Sequence, residues 1–400
     1  MRKLPNHINK IDKPTIVKRK LPSNILVFSH LRWDFVFQRP QHLLTRFAKI
    51  FNVYFLEEPV FVSSTSTPFL HKSIREENLY VLVPHLPEGL SESEILESQE
   101  KLVKRFLKDQ SQKDFAFWYY TPMALEYSRN LESTMVIYDC MDELSNFKFA
   151  PANIKQLEKE LFSKASVVFT GGYSLYEAKQ HRHPNIYAFP SSIDKQHFEK
   201  ARTYKKEPKD QLDIKKPRIG FFGVIDERFD IDLIVKMAEK KPDWQFILIG
   251  PVVKIDPAIL PQLDNIFYLG SKTYLELPEY LSGWDVALIP FLLNDSTQFI
   301  SPTKTPEYLA AGIPVVSTPI KDVIRPYGDN KMVHIAEDST GFIAAIEKEL
   351  NAPNKEQWLA KVDEFLIQNS WDLTCSRMLQ HIEQAMSKIS NKNKINISTI

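Results

Sequence analysis

The chain has 400 residues, 43% of them hydrophobic and 25% charged, with 51 Lys and Arg against 50 Asp and Glu. That length exceeds one ordinary core and points to two domains of about 150–200 residues, while the balanced charge excludes a nucleic-acid binder held by a global field. The two cysteines, Cys140 and Cys375, lie too far apart in the chain for a disulfide framework or a zinc cluster and fit a reducing cytoplasm; no apolar stretch approaches the ~18–20 residues that span a bilayer.

Residues 1–21 form a basic arm in which Arg2, Lys3, Lys10, Lys13, Lys18, Arg19 and Lys20 face only Asp12. It lacks the apolar run of a signal or anchor and reads as a solvated tail, or as a patch for peripheral contact with an anionic membrane surface. A first unit covers 22–200. "NILVFSH" (24–30) is a continuous apolar run of the kind a doubly buried parallel strand requires. "RPQHLLTRFAKI" reads as a helix with Pro40 in its first turn, and "NVYFLEEP", "LYVLVP" (79–84), "FAFWYY" (115–120), "TMVIYDC" (134–140) and "SVVFTGG" (166–172) as further strands. Residues 201–217 are charged and aperiodic, as a linker is. A second alternation over 218–369 runs through "PRIGFFGVI", "WQFILIG", "NIFYLG", a helix from Tyr274, "WDVALIPF", "PVVST" and "MVHIAE". Such alternation gives βαβ units, hence two Rossmann-like α/β domains. Trp371, Met378, Ile382 and Met386 share one face of a final helix over 370–389, and 390–400 form a flexible tail.

Eight of the 11 glycines fall in the second unit, several at strand ends, where an open α/β sheet binds ligands and glycine permits close approach. The first of two loops that carry chemistry there is "GFFGVIDERFDID", with Gly223 ending a strand and Arg228 in the turn. The second is "SPTKTPEYLAAGIPVV", where Ser301 and Thr303 lead into a helix with Lys304 in its first turn. A helix amino terminus beside Arg and Lys suits a diphosphate. Glu307, one turn on, can accept two hydrogen bonds from a vicinal diol such as ribose. The plain alternative makes Lys304 and Glu307 a solvated pair worth about 0.2–0.5 kcal/mol. Asp230 and Asp232 match a metal-type Asp-x-Asp pattern but begin a helix, so capping is the reading and no metal is implied.

"SPTKTPEYLAAGIPVV" resembles the nucleotide-sugar site of GT-B glycosyltransferases of the family 1 and family 4 type. "FVFQRPQHLLTRFAK", "VIYDCMDEL", "FPSSIDKQHF" and "GFFGVIDERFDIDLI" extend the likeness to bacterial polysaccharide glycosyltransferases of the teichuronic acid kind. The resemblance implies a GT-B fold, two Rossmann-like domains facing across a cleft with the last helix crossing back. It also implies metal-independent, retaining transfer from a nucleoside diphosphate sugar, UDP-linked, to a cell-surface glycan or lipid-linked precursor, in the cytoplasm or at the inner face of the membrane, with no cofactor beyond that co-substrate. Glu307 would then hold ribose, and Arg228, Lys304 and the backbone at Ser301 and Thr303 the diphosphate. The pattern breaks at Phe299, where the family has a second, sugar-contacting glutamate; Asn294 or Asp295 could substitute.

On the acceptor side "HLRWDFVFQRP" brings His30, Asp34 and Arg39 to the edge of the first sheet. Arg39 could reach donor phosphates across the cleft, and Asp34 or His30 could assist the acceptor hydroxyl; equally, Arg39 and Asp34 could pair, and His30 could be structural. Asp139 and Asp142 could bind acceptor hydroxyls or cap the following helix, and Trp118, Tyr119 and Tyr120 could stack on a sugar or fill the core. Two rival functions are a UDP-sugar 2-epimerase on the same fold and a non-catalytic glycan-binding or assembly protein.

Overall fold

The structure, a computed structural model, describes residues 21–110, 114–352 and 354–397; the basic arm at 1–20 and the last three residues of the tail lie outside them. Among the described residues the first sheet comprises β1 (Asn24–Phe28), β2 (Asn52–Leu56), β3 (Val60–Val62), β4 (Phe69–Glu76), β5 (Leu79–Pro87), β6 (Phe115–Tyr119), β7 (Met135–Cys140), β8 (Val167–Thr170) and β9 (Ile186–Ala188). Its order is β3-β5-β2-β1-β6-β7-β8-β9, all parallel, with β4 antiparallel to β5. The second sheet comprises β10 (Arg218–Phe222), β11 (Gln245–Ile249), β12 (Ile266–Gly270), β13 (Val286–Ile289), β14 (Val315–Ser317) and β15 (Val333–Ile335), parallel in the order β12-β11-β10-β13-β14-β15. Strands covered by helices on both faces need uninterrupted apolar runs, and β6 and β10 are buried along their whole length.

Both sheets reverse their winding at their first strand, between β1 and β6 and between β10 and β13, which leaves a crevice at the carboxyl ends of those strands. The loops from the two crevices line a common cleft. The chain crosses between the domains twice at one place, where Ile193 and Ser370 pair as a bridge and Ile193 N donates to Asn369 O at 2.9 Å. Each crossing carries apolar residues with it. Ile193, Phe198 and Ala201 pack into the core of the second domain, and Trp371, Met378, Ile382 and Met386 into that of the first.

Four local expectations differ from the structure. β3 and β4 were not predicted: β3 is an apolar run of only three residues, and β4 lies at a sheet edge with five of its eight residues exposed. The segment 201–217 is not an open linker, since Gln211 is fully buried, donating to Tyr280 O at 2.9 Å and accepting from Trp284 Nε1 at 2.9 Å. No helix starts at Tyr274; it starts at Leu277, and Tyr274 is instead held in a loop by aromatic stacking. The final helix runs Trp371–Ile397, past the predicted end at 389.

Candidate active site

The cleft holds a cavity of about 870 Å³. On its second-domain wall lie all six predicted donor residues, Gly223, Arg228, Ser301, Thr303, Lys304 and Glu307. The helix Lys304–Ala310 places Lys304 at its start and Glu307 one turn on. Lys304 Nζ stands 5.6 Å from the ring centres of both Phe221 and Phe291 and has no hydrogen-bond partner among the described residues. Burial pushes its ammonium pKa down, against the pull of Glu307, and the same burial pushes the Glu307 carboxyl up, against the pull of Lys304. Both groups thus hold charge at a cost that a ligand of complementary charge or hydrogen bonding would relieve.

Gly223 makes this packing possible. Its φ is +141°, and a side-chain carbon there would overlap Lys304 Cε. Arg228 is gripped by Asp226, Nε to Oδ1 at 3.0 Å and Nη2 to Oδ2 at 2.6 Å; those bonds outweigh burial and raise its pKa. Its guanidinium also sits 5.4 Å from the ring of Phe147, which Lys254 Nζ faces at 5.3 Å. Phe147 comes from the first domain, so one aromatic ring meets two second-domain cations across the cleft. Asp230 caps the helix Ile231–Lys240, accepting from Leu233 N at 2.9 Å.

The first-domain wall departs further from expectation. Arg39 is 3% exposed and locked to Asp139, Nη2 to Oδ1 at 2.8 Å and Nε to both oxygens at 3.2 Å, while Nη1 donates to Phe189 O at 2.7 Å. This corrects the reach toward donor phosphates: most of the fork is spent on a buried ion pair. Asp139, 0% exposed, has both oxygens on Arg39 and offers none to an acceptor. Asp34 pairs not with Arg39 but with Arg75, at 2.6 and 3.0 Å, at the cavity rim. His30 lies outside the cavity lining, and burial, with Lys254 second, lowers its pKa to about 4, so it is neutral near pH 7. Trp118, Tyr119 and Tyr120 are core residues, because β6 is central and doubly covered.

Asp142 is the predicted acceptor residue that stays in the cavity wall. Burial raises its carboxyl to about 6, against Arg228, Arg39 and Lys254, which favour the anion. A carboxyl poised there can accept or give a proton near neutral pH.

Residues 216–352 match the family model described as Glycosyl transferases group 1. The match falls on the second domain, which resembles a group 1 glycosyltransferase domain. TuaH of Bacillus subtilis (strain 168), assigned as a teichuronic acid biosynthesis glycosyltransferase, is 31% identical over 144 residues, 35% of this chain and 36% of TuaH. The matched part therefore spans little more than a third of that curated relative. Among solved structures, sucrose-phosphate synthase from Thermosynechococcus elongatus superposes over 92% of this chain and 100% of its own, at 14% identity and a TM-score of 0.69. The catalytic domain of starch synthase IV from Arabidopsis thaliana, bound to ADP and acarbose, superposes over 92% of this chain and 100% of its own, at 11% identity and 0.64. These neighbours give the fold as GT-B.

In the second domain, Phe299 turns away from the cavity and packs against a core cluster of the first domain. Asn146 Nδ2 donates to Asp295 O at 2.9 Å, and Ser191 Oγ to Ser301 O at 2.9 Å, so the loop before the helix Lys304–Ala310 is fastened to the first domain at three points. Asn294 and Asp295 are exposed and outside the cavity lining. Sequence reasoning missed Phe147, Tyr274 and Lys254. Phe147 carried only its aromatic character as a signal, Tyr274 was read as the start of a helix rather than as a loop residue of the cleft, and Lys254 carried no signal.

Proposed function

We propose that the chain is a glycosyltransferase that moves a sugar from a nucleoside diphosphate sugar, uridine-linked, to a cell-surface polysaccharide or lipid-linked glycan precursor, with retention and without metal, working as a peripheral protein at the inner membrane face. The observation that carries this reading is the convergence of Gly223, Arg228, Lys304 and Glu307 on one cavity wall at the switch point of the second sheet. There Lys304 and Arg228 neutralise the departing diphosphate, and Glu307 accepts the ribose hydroxyls. Asp142, facing them from the first domain, takes the acceptor side in place of Arg39. TuaH's assignment to teichuronic acid biosynthesis supports a cell-surface acceptor, and the E. coli trehalose-6-phosphate protein bound with UDP-2-fluoro glucose, 12% identical over 90% of this chain and 99% of its own with a TM-score of 0.67, supports a uridine donor on this fold.

The test is a thermal-shift panel of nucleoside diphosphates and their sugars on the full chain, with Glu307→Ala and Arg228→Ala alongside. Uridine diphosphate compounds should raise the wild-type Tm and leave the variants nearly unmoved. No shift with any nucleotide, or equal shifts in all three proteins, removes the donor-site assignment.

A further inference from the structure

A second cavity, of about 660 Å³, lies behind the cleft where the first domain, the second domain and the final helix meet. Ser191 and Ser301 line both cavities, and their 2.9 Å hydrogen bond is part of the partition between them. The volume falls within the roughly 300–1,000 Å³ of small-molecule sites. Its wall mixes aromatic faces with uncommitted polar groups. Tyr173, Tyr176 and Tyr187 line it with hydroxyls that make no hydrogen bond among the described residues, and Tyr187 stacks on His381, which lines the cavity too, ring centres 3.6 Å apart at 19°. Arg377 lines it too, with no hydrogen bond or ion pair among the described residues. Asp322, 3% exposed, gives one carboxylate oxygen to Ser174 N at 2.9 Å and keeps the other without a partner.

The composition selects a ligand class. One free cation and one buried carboxylate in the same wall disfavour a phosphate or other polyanion, which calls for several cations or a run of free backbone N–H groups. Polar groups distributed around the wall disfavour a hydrocarbon tail. Flat aromatic surfaces with many single donors and acceptors suit a ligand that is apolar on its ring faces and hydroxylated at its edges. We propose that this cavity is a saccharide-binding site that holds a short run of neutral sugar residues, separate from the donor cleft. The inference does not depend on the transfer reaction.

Saturation-transfer NMR and titration calorimetry on the full chain test it, with maltotriose, cellotriose and triacetylchitotriose as probes at millimolar concentration. At least one should bind the wild type; Arg377→Ala and Tyr187→Ala should each raise its Kd at least fivefold, and Glu307→Ala should leave it within twofold. Arg377 is exposed, so its variant keeps the fold even where loss of the Tyr187 stack loosens packing. Binding of none of the three to the wild type overturns the proposal, as does unchanged affinity in both cavity variants or loss confined to Glu307→Ala. Nucleotide stabilisation is read separately, so failure of the donor assignment leaves a distinct signature.

Discussion

Arg39 and Asp139, 100 residues apart in sequence, share a two-pronged, almost wholly buried ion pair at the cavity wall, Arg39 from the helix that follows β1 and Asp139 from the end of β7. The pair ties together two strands that β6 separates in the first sheet. Removing one partner strands a buried charge, a change that costs about 3–5 kcal/mol. Arg39→Ala and Asp139→Ala should each lower unfolding stability by that order in urea titrations, and the double variant by clearly less than the sum. An Arg39→Ala protein of wild-type stability that had lost only nucleotide affinity would restore Arg39 to the phosphate site.

Glu307 makes a prediction that separates ribose from phosphate. Two hydrogen bonds, each contributing a net of about 0.5–1.5 kcal/mol, together give about 1–3 kcal/mol, so calorimetry should show wild-type protein preferring UDP over 2′,3′-dideoxy-UDP by about 10- to 100-fold. Glu307→Ala should bind both equally. A preference that survives the substitution would place the diol elsewhere.

Asp142 has a pH signature. Burial disfavours its anion and pushes the folded carboxyl up from its ordinary range to about 6, so the fold favours its neutral form. The favourable contribution is complete below pH ~4 and is lost as pH rises through ~6. Asp142→Asn, neutral throughout, should match the wild type near pH 4 and exceed it at pH 7.5 by an amount on the order of 1–3 kcal/mol. Equal stability differences at both pH values would show that the carboxyl is not perturbed.

Gly223→Ala should strain the backbone at φ +141° and displace Lys304. A cost of about 1–3 kcal/mol is expected from the conformation alone, together with loss of nucleotide-induced stabilisation. An alanine variant that still responds to UDP like the wild type would uncouple Lys304 from the ligand.

The parts of this molecule that follow from contiguous residues were legible in sequence. Apolar runs announced β1, β6, β10 and β13, and the turn through Ser301, Thr303, Lys304 and Glu307 landed in the cleft as its spacing implied. Pairings set by topology were not legible. Arg39 has Asp34 five residues away, yet meets Asp139, because the sheet brings the end of β7 over the helix that follows β1. The aromatic run Trp118, Tyr119 and Tyr120 suits a sugar platform as well as a core, and only the central place of β6 decides between them. Phe299 is a departure from family pattern in sequence and a bolt between domains in space.

The exchange of apolar segments at Ile193 and Ser370 constrains how the polypeptide matures. Trp371, Met378, Ile382 and Met386 fill gaps in the first domain's core although they emerge from the ribosome after the entire second domain. Until that helix arrives, the earlier half waits with an open seam that closes only after the second domain has been made. A stop codon shortly before Trp371 would therefore injure the half made first and spare more of the half made last.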